Sequence, residues 1–198
     1  MVTGTTVDRG LVDAERPDAV IVATGGKPRW PHNAEFGDDA HVVDAWQVLK
    51  GEANVGARVV IADWRCDWIG VGLAEMLAAS GCHVRLAVNG LHAGELLPFY
   101  VRDMAAARLH GLGVEVIAYA RLYGCDADTV YLQHTASGEP IVVEDIDTLV
   151  LAQGHLSECA LLDALEDAQM PVIPIGDCVS ARTAEEAVLE GLKAAWSL

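Results

Sequence analysis

The sequence predicts an α/β fold: a parallel sheet with flanking helices and a small antiparallel β excursion. Residues 58–88 read as strand, tight turn, helix, turn and strand, the unit from which parallel sheets are built. The text from Asp18 to Gly25 recurs from Asp147 to Gly154 as D-x-[VL]-[VI]-[VL]-A-x-G, so one strand-and-glycine crossover occurs twice. Ser137 and Gly138 separate two short β-prone pieces, which predicts an antiparallel hairpin.

Residues 2–7 are short and β-prone, and residues 18–26 read as a buried strand running into a glycine turn. Residues 27–41 read as loop, with Pro28, Pro31, Asn33 and Gly37. A short strand and helix follow over 42–49, then a polar connector over 50–54. Val59 to Ala62 is an apolar run of the kind a strand buried on both faces needs. Ile69, Leu73, Met76 and Leu77 fall at i, i+4, i+7 and i+8, one face of a helix. Gly81 stops that helix, and residues 84–88 form the next strand. Residues 98–112 predict a helix with Met104, Ala105, Arg108 and Leu109 on one side; Gly113 breaks it before a strand at 114–117. Residues 120–124, 130–134 and 141–144 are β-like pieces. Beyond the second echo, residues 156–168 read as helix and 172–178 as a strand ending in Gly176 and Asp177. Thr183 and Glu186 make a capping-box pattern, after which Val188, Leu192, Ala195 and Trp196 predict a buried helix face.

The composition excludes several classes. Thirteen Lys and Arg against 29 Asp and Glu leave a formal net charge of −16, which argues against nucleic acid and against an anionic membrane. That charge is read as solubility. With 52% hydrophobic and 21% charged residues, a real core is expected. No apolar run reaches the length of a membrane span, and the first residues lack the basic-then-apolar pattern of a signal peptide. The five cysteines show no C-x-x-C spacing, which fits a reduced cytoplasmic protein. The seven histidines show no zinc-ligand spacing, and no G-x-S-x-G elbow exists.

The turn after the strand at 59–62 departs from a dinucleotide fingerprint. G-x-G-x-x-G lets backbone approach a pyrophosphate at a helix N-terminus. Aligned on Gly70 as the third glycine, the first two positions hold Arg65 and Asp67. Arg65 offers a charge for phosphate, whereas Asp67 sets a negative charge where phosphate would sit. The scaffold is Rossmann-like, and its phosphate cradle is altered. Trp64 and Trp68 flank the turn. Exposed, they would stack on an adenine or a partner; buried, they fill the space a ligand leaves. Packing is favoured, because a large apolar ring is usually core.

The stretches Val20–Gly26, Val43–Trp46, the β-α-β unit, Asp147–Val150 and Ile175–Cys178 with Arg182 and Thr183 occur in a recognisable order. Together they resemble the C-terminal nucleotide-binding region of the trimethylamine dehydrogenase and 2,4-dienoyl-CoA reductase family, the Old Yellow Enzyme-like NADH:flavin oxidoreductases. The turn from Asp63 to Gly70 most resembles members related to amine or N-methylproline demethylation. The resemblance covers nearly the whole chain. Its glycine motifs are shared with many two-dinucleotide flavoproteins; their order and spacing are more specific.

The resemblance implies a division of the chain. Residues 1–55 would be a partial FAD- or ADP-binding domain and linker, 56–150 an inserted NAD(P)-type Rossmann-like domain, and 151–198 the return to the first domain. Full-length members carry an N-terminal TIM barrel with FMN and an iron–sulfur cluster. The implied partner is that barrel, as domain or subunit, in a homo-oligomer of the complete enzyme, without nucleic acid or membrane. FAD or ADP is expected in the complete enzyme and FMN and the cluster only on the barrel; the altered turn argues against NAD(P)H.

Residue roles follow by the same resemblance. Thr24, Gly25 and Gly26 match the crossover beside the cofactor, or form a domain-linking turn. Gly176 and Asp177 match the motif over the flavin or ADP, with Asp177 at ribityl or phosphate-linked hydroxyls, or form an ordinary turn. Arg182 would meet an anionic cofactor group, or is a solvated arginine. Asp63, Trp64, Arg65 and Gly70 are the cofactor-side residues of the altered turn. No catalytic or metal-ligating residue is assigned. Two functions remain open. One is the nucleotide-binding portion of a flavin-dependent oxidoreductase, of amine dehydrogenase, demethylase or enoyl reductase type, supporting electron transfer and not catalytic alone. The other is a packing or docking module with a decayed dinucleotide site.

Overall fold

The apolar run at 59–62 lies at the centre of a five-stranded parallel sheet and is covered on both faces. The computed structural model describes residues 1–198. In chain order the first elements are α1 (Arg9–Glu15), β1 (Val20–Val22), β2 (Gly26–Pro28), β3 (Glu35–Phe36), β4 (Val42–Asp44), α2 (Ala45–Leu49), β5 (Arg58–Asp63), α3 (Trp68–Ala79), β6 (His83–Val88) and α4 (Phe99–Gly111). There follow β7 (Glu115–Ile117), β8 (Ala120–Asp126), β9 (Thr129–His134), β10 (Pro140–Val143), β11 (Thr148–Ala152), β12 (His155–Ser157), α5 (Ala160–Ala164), β13 (Val172–Pro174), a 3₁₀ turn (Gly176–Cys178) and α6 (Ala184–Ser197). They form two compact units, one of residues 30–154 and one of residues 1–29 with 155–198. No helix is long and apolar enough to cross a membrane.

In the unit of residues 30–154 the sheet order is β4-β11-β5-β6-β7, and every pairing is parallel. The two-residue period of a strand sorts the core. Val59 and Ile61 face a cluster with Leu86 of the neighbouring β6 and with Val48, Leu73, Leu77 and Leu109, drawn from α2, α3 and α4. Val60 and Ala62 face Leu122, Val130, Leu132 and Val143 of the antiparallel strands. Helices therefore cover one face of the parallel sheet, and the β excursion covers the other. The hairpin forms where Ser137 and Gly138 predict it: β9 and β10 pair antiparallel, and Gly138 takes φ +78. Residues 30–55, grouped above with the first segment, fold into this unit, because Val42–Asp44 pairs with Leu149–Leu151. Met76 and Met104 are exposed; Leu73, Leu77, Ala105 and Leu109 carry the buried faces.

The unit of residues 1–29 and 155–198 is built on two strand pairs, β1 with β13 in parallel and β2 with β12 antiparallel. Its core is Val12, Val22, Leu165 and Cys178. Three sequence expectations fail here. Residues 2–7 form no strand, and the helical turn at Arg9–Glu15, capped by Asp8, was not foreseen. Residues 156–168 are not one helix: His155–Ser157 is strand and only Ala160–Ala164 is helical. The pairing of Leu156 with Lys27 holds that segment extended, a long-range contact that local pattern cannot show. The face Val188, Leu192, Ala195 and Trp196 of α6 is not buried. Val188 is 73% and Trp196 79% exposed, and Ala194 is the buried residue of the helix. The capping box at Thr183 and Glu186 is present.

Candidate functional site

In the unit of residues 1–29 and 155–198, the chain leaves β1 through Thr24 and Gly25 (φ +77). The Thr24 hydroxyl donates to the Glu158 carbonyl at 2.6 Å, and the Glu158 N–H donates to the Gly25 carbonyl at 2.9 Å. Gly26 lies against β12: a Cβ there would come 2.8 Å from the Leu156 carbonyl oxygen. Backbone cannot move aside as a side-chain tip can, so Gly26→Ala is expected to cost about 1–3 kcal/mol, read as a lower urea midpoint.

β13 ends beside this crossover. Gly176 adopts φ +68 and donates its N–H to Glu190 Oε2 at 2.7 Å. Asp177 accepts the Arg182 N–H at 3.2 Å, and the Arg182 guanidinium pairs with Glu190. The Gly176 N–H, and after it Arg182, hold the Glu190 carboxyl below the usual carboxylate range. Gly25, Gly176, Asp177 and Arg182 line one cavity of about 470 Å³, with Ala23, Ala187 and the start of α6. Thr24 and Gly26 are not among its lining residues; they hold the crossover. Sequence reasoning missed Glu190. The capping box sets the register of α6, and in that register Thr183, Ala187 and Glu190 share a face.

An adenine nucleotide or flavin fits this place in part. The cavity has the size of a cofactor pocket and small residues on its wall. A Cβ on Gly176 would sit 3.3 Å from the Ala187 Cβ, so only glycine leaves the backbone open at its positive φ. Asp177 keeps acceptor capacity for a hydroxyl. Arg182 is already neutralised by Glu190, so an anionic group would have to compete for it.

In the unit of residues 30–154, Asp63, Trp64, Arg65 and Gly70 come together at the C-terminal end of β5. The strands to either side, β6 and β11, make this the switch point of the sheet. Asp63 is 2% exposed. Its Oδ1 accepts the Cys66 N–H at 2.8 Å, with Cys66 in the left-handed region at φ +52. Its Oδ2 has no hydrogen-bond partner. Burial above all, against the opposing Cys66 N–H, pushes the Asp63 carboxyl up to about 7. Asp67 is the N-cap of α3 and accepts the Ile69 N–H at 3.0 Å. Arg65 pairs with Asp67 at 3.4 Å, and its stem packs where a Cβ on Gly154 would come within 3.0 Å. Gln153 is buried and donates to the Ala62 carbonyl at 2.8 Å. Trp64 and Trp68 are 36% and 59% exposed, so the packing role expected for them is corrected. The inward face of α3 is Gly70, Val71, Leu73, Ala74 and Leu77, which leaves Trp68 on its outer side.

No family model matches the chain. Individual proteins do. The chain is 32% identical over 198 residues to a bilirubin reductase of Mediterraneibacter gnavus, covering 97% of this chain and 29% of that protein. It is 26% identical over 231 residues to an N,N-dimethylglycine/sarcosine dehydrogenase of Chromohalobacter salexigens, covering 96% and 33%. Over 82 residues it is 37% identical to a probable N-methylproline demethylase of Rhizobium meliloti, covering 41% and 12%. Histamine dehydrogenase from Rhizobium sp. 4-9 superposes with a TM-score of 0.87 at 19% identity, over 98% of this chain and 32% of that one. A 2-naphthoyl-CoA reductase superposes with a TM-score of 0.83 at 28% identity, over 96% and 28%. The fold and these likenesses define an α/β domain of the flavin-dependent oxidoreductases. These relatives and structural neighbours are flavoenzymes of the trimethylamine dehydrogenase family, the family that the order of the chain's glycine motifs resembles. The chain spans about a third of the length of the two relatives that it matches along nearly its whole length.

Proposed function

We propose that this chain is the nucleotide-holding portion of a flavin-dependent oxidoreductase of amine dehydrogenase, demethylase or enoyl reductase type. The unit of residues 1–29 and 155–198 takes FAD or ADP, and the unit of residues 30–154 is the inserted NAD(P)-type domain. Substrate oxidation or reduction belongs to a TIM-barrel partner carrying FMN and an iron–sulfur cluster. The observation that carries this reading is the cavity where Gly25, Gly176 and Asp177 meet. A bound flavin supplies hydride and single-electron transfer. This chain's own residues bind and orient. Gly25 and Gly176 admit a close backbone approach, Asp177 accepts a hydroxyl, and Glu190 fixes the Gly176 N–H and Arg182. Five unpaired cysteines fit a reducing cytoplasm.

The open surfaces of the same unit support a partner. A two-stranded parallel pair with a core of four buried side chains is a small part of a sheet domain. Val188, Leu192 and Trp196 form an uncovered apolar stripe on α6. The reading is tested by binding the chain to the separately produced remainder of such an enzyme. Leu192→Asp with Trp196→Ser, both outside the cavity lining, is expected to weaken that complex at least tenfold and to leave the Tm of the chain within a few degrees. Equal binding by both forms would contradict the role of this face.

A second reading, a packing or docking module, is favoured for the unit of residues 30–154 alone. The carboxylates at its turn carry it.

A further inference from the structure

A Rossmann-type unit holds a dinucleotide through free N–H groups at the start of its first helix and through glycines that let the pyrophosphate come close. In this chain those groups are engaged from within. We propose that the Asp63 carboxyl group itself occupies the phosphate position at the turn, with Asp67 capping beside it. The unit is thereby closed to NAD(H) and NADP(H).

Three observations carry this. The N–H groups of Cys66 and Ile69 point to Asp63 Oδ1 at 2.8 Å and to Asp67 Oδ1 at 3.0 Å. Gly70, the one glycine kept from the fingerprint, faces Asp63. A Cβ there would stand 2.1 Å from Asp63 Oδ2, so the glycine makes room for the carboxyl group. The left-handed φ of Cys66 folds the turn back over Asp63, which is sealed from solvent. Arg65 gives no opening for phosphate, because its charge is met by Asp67 and its stem lies against Gly154.

The cause of closure thus lies one step before the missing glycines. The sequence pattern points to Arg65 and Asp67, the positions that hold glycine in the fingerprint. The structure assigns the phosphate position to Asp63, which no glycine count reveals. Changing Arg65→Gly with Asp67→Gly leaves the Asp63 carboxyl group in place, and that pair is expected to gain no NADH binding.

Asp63→Ala vacates the position and leaves the Cys66 N–H unmatched. Small anions should then fill it. The experiment compares Tm in formate and in pyrophosphate with chloride at equal ionic strength, for wild type and Asp63→Ala, alongside calorimetric titration of the wild type with NADH and NADPH. The expected result is a rise of about 3–5 °C with formate or pyrophosphate in Asp63→Ala only. The wild type should show no saturable heat up to about 1 mM nucleotide. A wild-type dissociation constant in the low micromolar range, or anion stabilisation equal in both proteins, would overturn the proposal. If Asp63→Ala does not fold, the paired change Arg65→Gly with Asp67→Gly decides, because NADH binding gained by that pair would overturn the proposal. Both arms are run with ADP in excess, which keeps the cavity at Gly176 out of the readout, so the outcome is separate from that of the flavin reading.

Discussion

Gly70→Ala is expected to destabilise the chain by about 2–3 kcal/mol, although alanine is the better helix former. The helix propensity gain is at most about 1 kcal/mol. Against it stands a Cβ placed 2.1 Å from Asp63 Oδ2, closer than any real contact. Either α3 moves off β5, or the carboxyl group rotates and leaves the Cys66 N–H. Overpacking costs about 1–3 kcal/mol, and an unmatched buried donor adds about 1–3. The loss should shrink in the presence of Asp63→Ala, which removes the obstructing oxygen. A double-mutant cycle by urea unfolding reads this as a coupling above about 1 kcal/mol. Additive effects of the two changes would mean that Gly70 serves something other than room for Asp63.

A second large effect concerns pH. The Asp63 carboxyl rises from an ordinary value of 3.8 to about 7 in the folded chain, chiefly through burial. The folded state therefore holds this proton more tightly than the unfolded state. Its stabilising effect is complete below about pH 4, falls as pH rises towards 7, and is gone above that. A shift of this size corresponds to about 4 kcal/mol. Asp63→Asn removes the titration and keeps an oxygen for the Cys66 N–H. Other carboxylates titrate over the same range, so the readout is the difference between the two stability curves. That difference should change by about 3–4 kcal/mol in favour of the variant between pH 4 and pH 7.5. Parallel curves would show that Asp63 is ionised at an ordinary pH and reaches solvent or a partner.

What could be read from the sequence was what depends on neighbours along the chain. The run from Val59 to Ala62 has no polar residue to place in water, so it had to be an inner strand, and it is. Ser137 and Gly138 carry a turn in their own chemistry. Gly70 was legible as a helix-start glycine, but its neighbour was not: an aspartate after an apolar run reads as the end of a strand. Only the fold brings the Asp63 carboxyl under the third residue of α3. The same limit explains the segment after Gly154, where helix-prone residues are held extended by pairing with residues 26–28. It also explains α6, because an apolar stripe shows which side avoids water and not what covers it. Glu190 went unseen for a related reason. Its partners, Gly176 and Arg182, lie 14 and 8 positions away.

The central claim is that Gly176 and Asp177 hold an adenine nucleotide in the assembled enzyme. The most direct measurement is chromatographic identification of the nucleotide released on denaturation. It would compare wild type with Gly176→Val, each produced together with the remainder that its relatives carry. A side chain at Gly176 meets Ala187 and strains a positive φ, so it closes the cavity. FAD or ADP near one equivalent from the wild type, reduced at least tenfold in Gly176→Val with the complex intact, is the predicted result. Wild-type complex that releases no adenine nucleotide, or a Gly176→Val complex that releases as much, would contradict it.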